Sequence, residues 1–351
     1  MSTRLSVSLA AVAGNYDRLC ARAAGRVAAV VKADGYGLGA GPIAQHLAQL
    51  GCVEFFVATS DEGRQLRRVL PEPVIYILEG ATAESVETLV EHELTPVLNS
   101  LSQCARWNPT RRGAALHIDT GMYRLGLAPD EAATLPNDLA LTLVITHLAC
   151  ADEPDNPANA SQVAQIQGLY QSLRRRFPNA GLSICNSGGL LAGLGPEDVG
   201  RGGIGLYGGN PHTAGANPMQ PVACFEAQVL QIRDVPPGSH VGYGGTYTAP
   251  TGGVRLAVVG AGYADGVPRL LSGHGSVWLG GRQCPIVGRV SMDCTNVDIG
   301  DADVAEGDWA ELLGTHIELD TVAALAQTIG YEILTGLGRR TSRTYLDGFL
   351  N

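Results

Sequence analysis

Between residues 26 and 207 the chain passes through eight short apolar stretches, each set off from the next by a segment of helical or turn character. They are RVAAVV (26–31), EFFVAT (54–59), PVIYIL (73–78), TPVLN (95–99), AALHID (114–119), ALTLVITH (140–147), GLSIC (181–185) and VGRGGIGLY (199–207). A stretch that is apolar throughout, rather than at alternate positions, belongs to a strand buried on both faces, as in a parallel sheet covered by helices. Parallel neighbours need a crossover of about a dozen residues or more, and the intervening segments supply it. GPIAQHLAQLG has a proline in its first turn, Ile43, Leu47 and Leu50 on one face, and Gly51 as a stop. NASQVAQIQGLYQSLRRRF ends in three arginines, which suit a helix C-terminus. Eight such units predict an α/β chain built on a (β/α)8 TIM-type barrel, with a doubly wound open sheet as the competing arrangement.

After about residue 220 the texture changes. VACFEAQVLQIRDV, VRLAVVG, GSVWLG, CPIVGRV, CTNVDI and DWAELLG read as strands separated by glycine, proline and aspartate, with one helix, LDTVAALAQTIG, among them. The expectation is a barrel over residues 10–222 and a mostly β domain from 223–351, completed by the first strand, RLSVSLA, in residues 1–9. The N-terminus reads as a strand entering an amphipathic helix. Asn15 to Arg18 interrupt its apolar segment, which argues against a secretion signal.

A formal charge of −10 and a pI near 5.3 speak against a nucleic-acid partner. No apolar run is long enough to cross a bilayer. The eight cysteines are scattered without CxxC spacing, so they read as small buried hydrophobes of a cytoplasmic protein. No His/Cys/Asp/Glu spacing suggests a metal, and no serine-nucleophile elbow occurs.

Lys32 is the one lysine beside 23 arginines. Arginine cannot lose its proton in a protein, whereas lysine can act as a base or nucleophile. A lysine kept at the end of the first barrel strand, where barrel enzymes place their chemistry, predicts amine chemistry. The bland alternative is drift in an arginine-favouring genome. Gly35-Tyr-Gly37-Leu-Gly-Ala40 also matches the G-x-G-x-x-A form of dinucleotide sites, with Asp61 as the acid for a ribose. Lys32 and Asp34 in the turn, and eight strands, argue against that reading.

Two further groups stand out. CNSGG (185–189) and GRGGIGLYGG (200–209) follow the seventh strand and run through the eighth, where barrels bind phosphate, and Arg201 among those glycines points to an anion or a ring nitrogen. Ordinary glycine turns are the alternative. In the β domain, Tyr243 (VGYGGTY) and Tyr263 (GAGYADG) are flanked by glycines that would expose rather than bury them. His147, ending VITH, reads either as a hydrogen-bonded core histidine or, at a barrel-strand end, as part of a site.

Taken together, VVKADGYGLG, HIDTGMYRLG, THLACADE, CNSGG, GRGGIGLYG, VGYGGTY, GYADG, GRVSMD and RRTSRTY resemble, in order and over nearly the whole chain, the alanine racemases, fold-type III pyridoxal phosphate enzymes. The resemblance implies a pyridoxal phosphate Schiff base on Lys32. It implies a phosphate held by Tyr36, Ser187, Tyr345 and the backbone of Gly203 and Ile204, with Arg201 facing the pyridine nitrogen. Tyr243 would be the second base, entering from the partner subunit of a head-to-tail homodimer and supported through His147 and Arg201. Arg124 and the partner's Met292 would meet the substrate carboxylate or its neighbourhood, and the partner's Tyr263 would narrow the entrance. The implied reaction is interconversion of L- and D-alanine, supplying D-alanine for peptidoglycan. A serine or broader-specificity racemase and a non-catalytic pyridoxal phosphate carrier are the alternatives. One departure is His117, where the family commonly has a carbamylated lysine that orients the arginine, here Arg124. A chloride or a hydrogen bond from neutral His117 would take the carbamate's place.

Overall fold

A computed structural model describes residues 2–338 and 340–349. Strand β1 (Thr3–Ser8) runs directly into the helix Leu9–Cys20. Eight strands follow: β2 (Arg26–Val30), β3 (Glu54–Val57), β4 (Val74–Ile77), β5 (Thr95–Leu98), β6 (Ala114–His117), β7 (Leu141–Ile145), β8 (Gly181–Ser183) and β9 (Val199–Gly202). All their ladders are parallel, in the order β8-β7-β6-β5-β4-β3-β2-β9, so the sheet wraps round to bring β9 beside its own first neighbour, β2. This is the barrel of the α/β reading, not the open doubly wound sheet. β3, β5 to β7 and β9 are almost wholly buried, which their unbroken apolar runs dictate.

The two ends of the sheet, β8 and β9, meet without a regular ladder. The Asp198 N–H donates to the Leu182 carbonyl and that of Arg201 to Cys185, each at 2.9 Å. Side-chain carboxylates take up the other amides. Asp198 Oδ2 accepts from Leu182 N–H at 2.7 Å, and Glu197 Oε2 accepts from Ile184 and Cys185 N–H at 2.7 and 2.8 Å. The seam of the barrel is thus stitched by two carboxyl groups.

Every strand ends one or more residues before its apolar run does. His147 lies two residues beyond β7 rather than at its end, and residues 204–207 form a 3-10 turn (Ile204–Tyr207) rather than more strand. The residues past the last ladder bond are free to turn away from the sheet. The chain divides into two compact units: Ala13–Leu206 with Asn210–Met219, and Met1–Val12 with Tyr207–Gly209 and Gln220–Asn351.

In the second unit β10 (Ala223–Val235) is the central strand. Around it lie β11 (His240–Val241), β12 (Tyr247–Thr248), β13 (Val254–Val259), β14 (Ser276–Leu279), β15 (Arg282–Pro285), β16 (Thr295–Asp298), β17 (Trp309–Leu313) and β18 (Ser342–Leu346). The main sheet has the order β15-β14-β17-β10-β1-β18, with β13 and β16 continuing from the second half of β10. β1 therefore does complete this sheet. Ala223, Phe225, Ala227 and Val229 alternate inward along β10, the period-two pattern of a sheet with one covered face. The helix expected over LDTVAALAQTIG is shorter, Leu319–Leu325, and a second helix, Gly330–Thr335, starts at the last residue of that stretch. The second begins on a glycine with no side-chain cap, so nothing in the sequence announces it. The cysteines are all free, four of them buried. Among the described residues no helix is long and apolar enough to cross a membrane.

Candidate active site

Lys32 follows β2 in a segment whose backbone is unusual. Ala33, Asp34 and Tyr36 all have φ near +53°, in the left-handed region. That conformation costs a non-glycine residue about 1–2 kcal/mol, so three together mark a place where structure is held for a purpose. The holding bonds are explicit. Gly37 N–H donates to the Ala33 carbonyl at 2.8 Å, Gly39 N–H to Asp34 at 2.7 Å, and the Asp34 carboxylate accepts from Ala40 N–H at 2.9 Å. The Glu62 carboxylate spans from Ala33 N–H (2.8 Å) to Ala58 N–H (2.7 Å), tying the turn to the end of β3. The Asp61 carboxylate is in a surface ion pair with Arg64.

Burial pushes the Lys32 ammonium below its ordinary pKa, and the Arg124 and Arg201 cations add to this against the opposing charge of Glu62. The neutral amine is thereby favoured. Arg201, only 4% exposed, donates from Nη2 to the Thr146 carbonyl (2.7 Å) and to the Ile184 carbonyl (3.2 Å), and from Nη1 to Ser183 Oγ. Its Nη2 also lies 3.4 Å from His147 Nδ1. Burial first, and then the cations Arg201, Arg124 and Lys32, hold His147 well below the usual imidazole range. It is neutral, and with Nδ1 facing a permanent donor its remaining proton belongs on Nε2.

Glu197 is the buried carboxylate that answers Arg201. Desolvation raises its pKa, while its two amide donors and Arg201 pull the other way. Ser187, Gly203 and Tyr36 meet at one place. Ser187 Oγ accepts from the N–H of Gly203 (2.8 Å) and of Gly205 (3.3 Å), so its own proton is left to donate. A Cβ on Gly203 would stand 2.8 Å from the Tyr36 hydroxyl oxygen, so any side chain there would push that hydroxyl aside. Ile204 begins the adjoining 3-10 turn.

His117, at the end of β6, is buried, with Nδ1 2.8 Å from Asn99 Oδ1. Asn99 spends its Nδ2 protons on the Leu78 and Val97 carbonyls, so its Oδ1 must accept and His117 must donate from Nδ1. Burial, then the Arg201 cation, lowers the His117 pKa to about 4. On its other nitrogen it offers a lone pair, which suits a guanidinium N–H and not a chloride. Below about pH 6.5 the unfolded imidazole binds a proton that the native one refuses, so stability falls as pH drops from about 6.5 to about 4. The loss from His117 is about 3 kcal/mol in all, and His147 acts in the same direction. Denaturant titrations at several pH values should give a shallower acid decline for His117→Gln than for the wild type. Equal slopes would remove His117 from the cause.

Arg124 is exposed at the tip of the loop after β6 and makes no hydrogen bond or ion pair to any described residue, but its charge acts on Lys32, His117 and His147. The barrel unit therefore gathers Lys32, Tyr36, Arg124, His147, Ser187, Arg201, Gly203 and Ile204. Tyr243, Tyr263, Met292 and Tyr345 belong to the other unit. Tyr243 lies between Gly242 and Gly244, both at positive φ, and is 69% exposed. Tyr263 and Met292, 45% and 52% exposed, are on segments joined by Tyr263 N–H to Ser291 and Ala264 N–H to Met292 carbonyl bonds of 3.0 Å. Tyr345, on β18, pairs with Val7 of β1.

Glu62, Asn99, Asp119, Thr120, Gln162 and Glu197 were not singled out by the sequence. Their residue types are common, and only the fold reveals what they bond.

Two family profiles match the chain: "Alanine racemase, N-terminal domain" over residues 7–211 and "Alanine racemase, C-terminal domain" over residues 222–345. The chain is 48% identical to the alanine racemase of Acidiphilium cryptum, over 97% of each chain. It is 44% identical to a protein of Agrobacterium fabrum named "Alanine racemase, catabolic", over 98% of this chain and 92% of that one. The crystal structure of the Bartonella henselae alanine racemase, with covalently bound pyridoxal phosphate, superposes with a TM-score of 0.91 at 36% identity, covering 99% of this chain and 100% of that one.

Proposed function

The chain belongs to the alanine racemase family, and from that premise we propose that it interconverts L- and D-alanine by a two-base mechanism, with pyridoxal phosphate held on Lys32. The observation that carries the reading is the placement of the sole lysine, its pKa lowered by burial and by two arginines, beside neutral His147 and buried Arg201.

The residues present fit the cofactor. Ser187 has a proton left to donate, Tyr36 brings a hydroxyl to the same place, and Gly203 keeps that place open. These would hold a phosphate group, with the backbone of Ile204. Arg201 would face the ring nitrogen as a cation that discourages its protonation. When bound, pyridoxal phosphate supplies an electron sink that makes the Cα proton of an attached amino acid removable.

Racemisation requires a proton to leave one face of Cα and another to arrive at the opposite face. Lys32 Nζ serves one face as a free amine, a state its depressed pKa favours and arginine never reaches. Tyr243, from the partner subunit of a head-to-tail dimer, serves the other. Its exposure together with that of Tyr263 and Met292 supports a role that another subunit completes. A phenol starts near pKa 10, so its anion needs a donor. The Nε2 proton of His147 is such a donor, with Arg201 behind it. Arg124, which makes no hydrogen bond or ion pair to a described residue, would take the substrate carboxylate. The reaction is attached to the chain, and D-alanine supply for peptidoglycan is one use of it; a relative carries the word catabolic in its name.

The deciding experiment incubates L-alanine, with L-serine in parallel, with the protein and pyridoxal phosphate in deuterated water, followed by chiral analysis. D-alanine carrying deuterium at Cα, formed faster than D-serine, is the expected result. Faster serine turnover would change the substrate, and no exchange with cofactor bound would favour the carrier reading.

A further inference from the structure

We propose that Gln162 is a positioning residue for the substrate: it fixes the loop that bears Arg124 against the segment that bears His147, and so sets where a carboxylate is held relative to the reacting carbon. This rests on the racemase reading above.

Gln162 lies in the second turn of the helix Pro157–Arg176 and is 3% exposed. A buried amide is unfavourable unless its hydrogen bonds are made. Every hydrogen-bonding atom of Gln162 is engaged. Nε2 donates to Thr120 Oγ1 and to the His147 carbonyl, each at 3.1 Å, and Oε1 accepts from Ala149 N–H at 2.9 Å. These partners lie on two separate segments, one following β6 and the other following β7. Thr120 Oγ1 is also 2.8 Å from Thr146 Oγ1, and the Thr146 carbonyl takes the Arg201 Nη2 bond. One amide therefore joins the root of the Arg124 loop to the His147–Arg201 pair.

The rest of the loop transmits that anchoring. The Asp119 carboxylate accepts from the N–H groups of Gly121, Met122 and Tyr123 at 2.8–2.9 Å, winding residues 119–123 into a closed turn. Gly121, at φ +135°, faces the Gln162 stem: a Cβ there would be 3.7 Å from Gln162 Cγ. Arg124 itself is held by no described side chain. Its direction is inherited from the base of the turn, and Thr120 on Gln162 is that base. An error of an ångström there moves the guanidinium by as much or more, and misplacements of that size cost up to about 10²-fold in rate.

The test uses the holoenzyme and the substitution Gln162→Met, which keeps shape and removes both donors and the acceptor. The KM for alanine and the Kd for propionate, which has alanine's carboxylate without its amine, should each rise about tenfold. The absorbance of bound pyridoxal phosphate should be unchanged. The decisive reading is a double-mutant cycle with Arg124→Met. If Gln162 acts through Arg124, adding Gln162→Met to Arg124→Met changes kcat/KM less than about twofold. The same fold loss in both backgrounds, or a loss confined to thermal stability, overturns the proposal. Thr120→Val, which cuts only the loop side of the brace, carries the same cycle if Gln162→Met fails to fold. A wild-type protein that exchanges no Cα proton would sink the racemase reading and this proposal with it. A wild type that racemises with an additive cycle would sink this proposal alone.

Discussion

A Lys32→Arg protein is expected to fold normally and to lose racemisation by at least about 10³-fold, the scale on which a positioned base or nucleophile acts. Arginine is also a long basic side chain, but it cannot become a neutral amine, the state that the Lys32 site favours. The turn that follows does not depend on the Lys32 side chain. Its left-handed residues are held by backbone bonds and by the carboxylates of Asp34 and Glu62. Circular dichroism should therefore match the wild type, while the absorbance of lysine-linked pyridoxal phosphate disappears. A variant that retained racemisation within tenfold would show that the solitary lysine is an accident of composition.

Tyr243→Phe should separate the two faces of the substrate. The variant should still bind pyridoxal phosphate and still exchange the Cα proton of one enantiomer with solvent deuterium. Exchange from the other enantiomer, and net racemisation, should fall by about 10²–10⁴-fold. Tyr243 is 69% exposed within its own chain, so removing its hydroxyl should change the stability of the isolated chain by no more than about 0.5 kcal/mol. Equal loss of exchange from both enantiomers would argue that tyrosine serves both faces, or neither.

The barrel was legible because burial on both faces leaves a strand no polar positions to hide its pattern. Phe55, Phe56 and Val57, or Ala114 to Leu116, can be nothing but interior. Lys32 was legible because its chemistry has no substitute. Strand ends were less so: the apolar run ALTLVITH gives no sign that pairing stops at Ile145 and that His147 stands clear of the sheet. Least legible were the polar groups that hold the site. Gln162 finds Thr120 from 42 positions away, and His117 finds Asn99 from 18. A sequence displays what a side chain is able to donate, and only the fold supplies the acceptor.

The carboxylate stitches between β8 and β9 couple two properties usually kept separate. Glu197 is one of the groups that close the cylinder, and it is also the anion set against the Arg201 guanidinium. Architecture and electrostatics therefore share a single proton. Were Glu197 to take one up, the wall would lose the charged acceptor for two amides at the moment the cation behind it lost its counter-charge. The seam is a joint whose tightness and whose field rise and fall together, and selection cannot adjust either one at this position without moving the other.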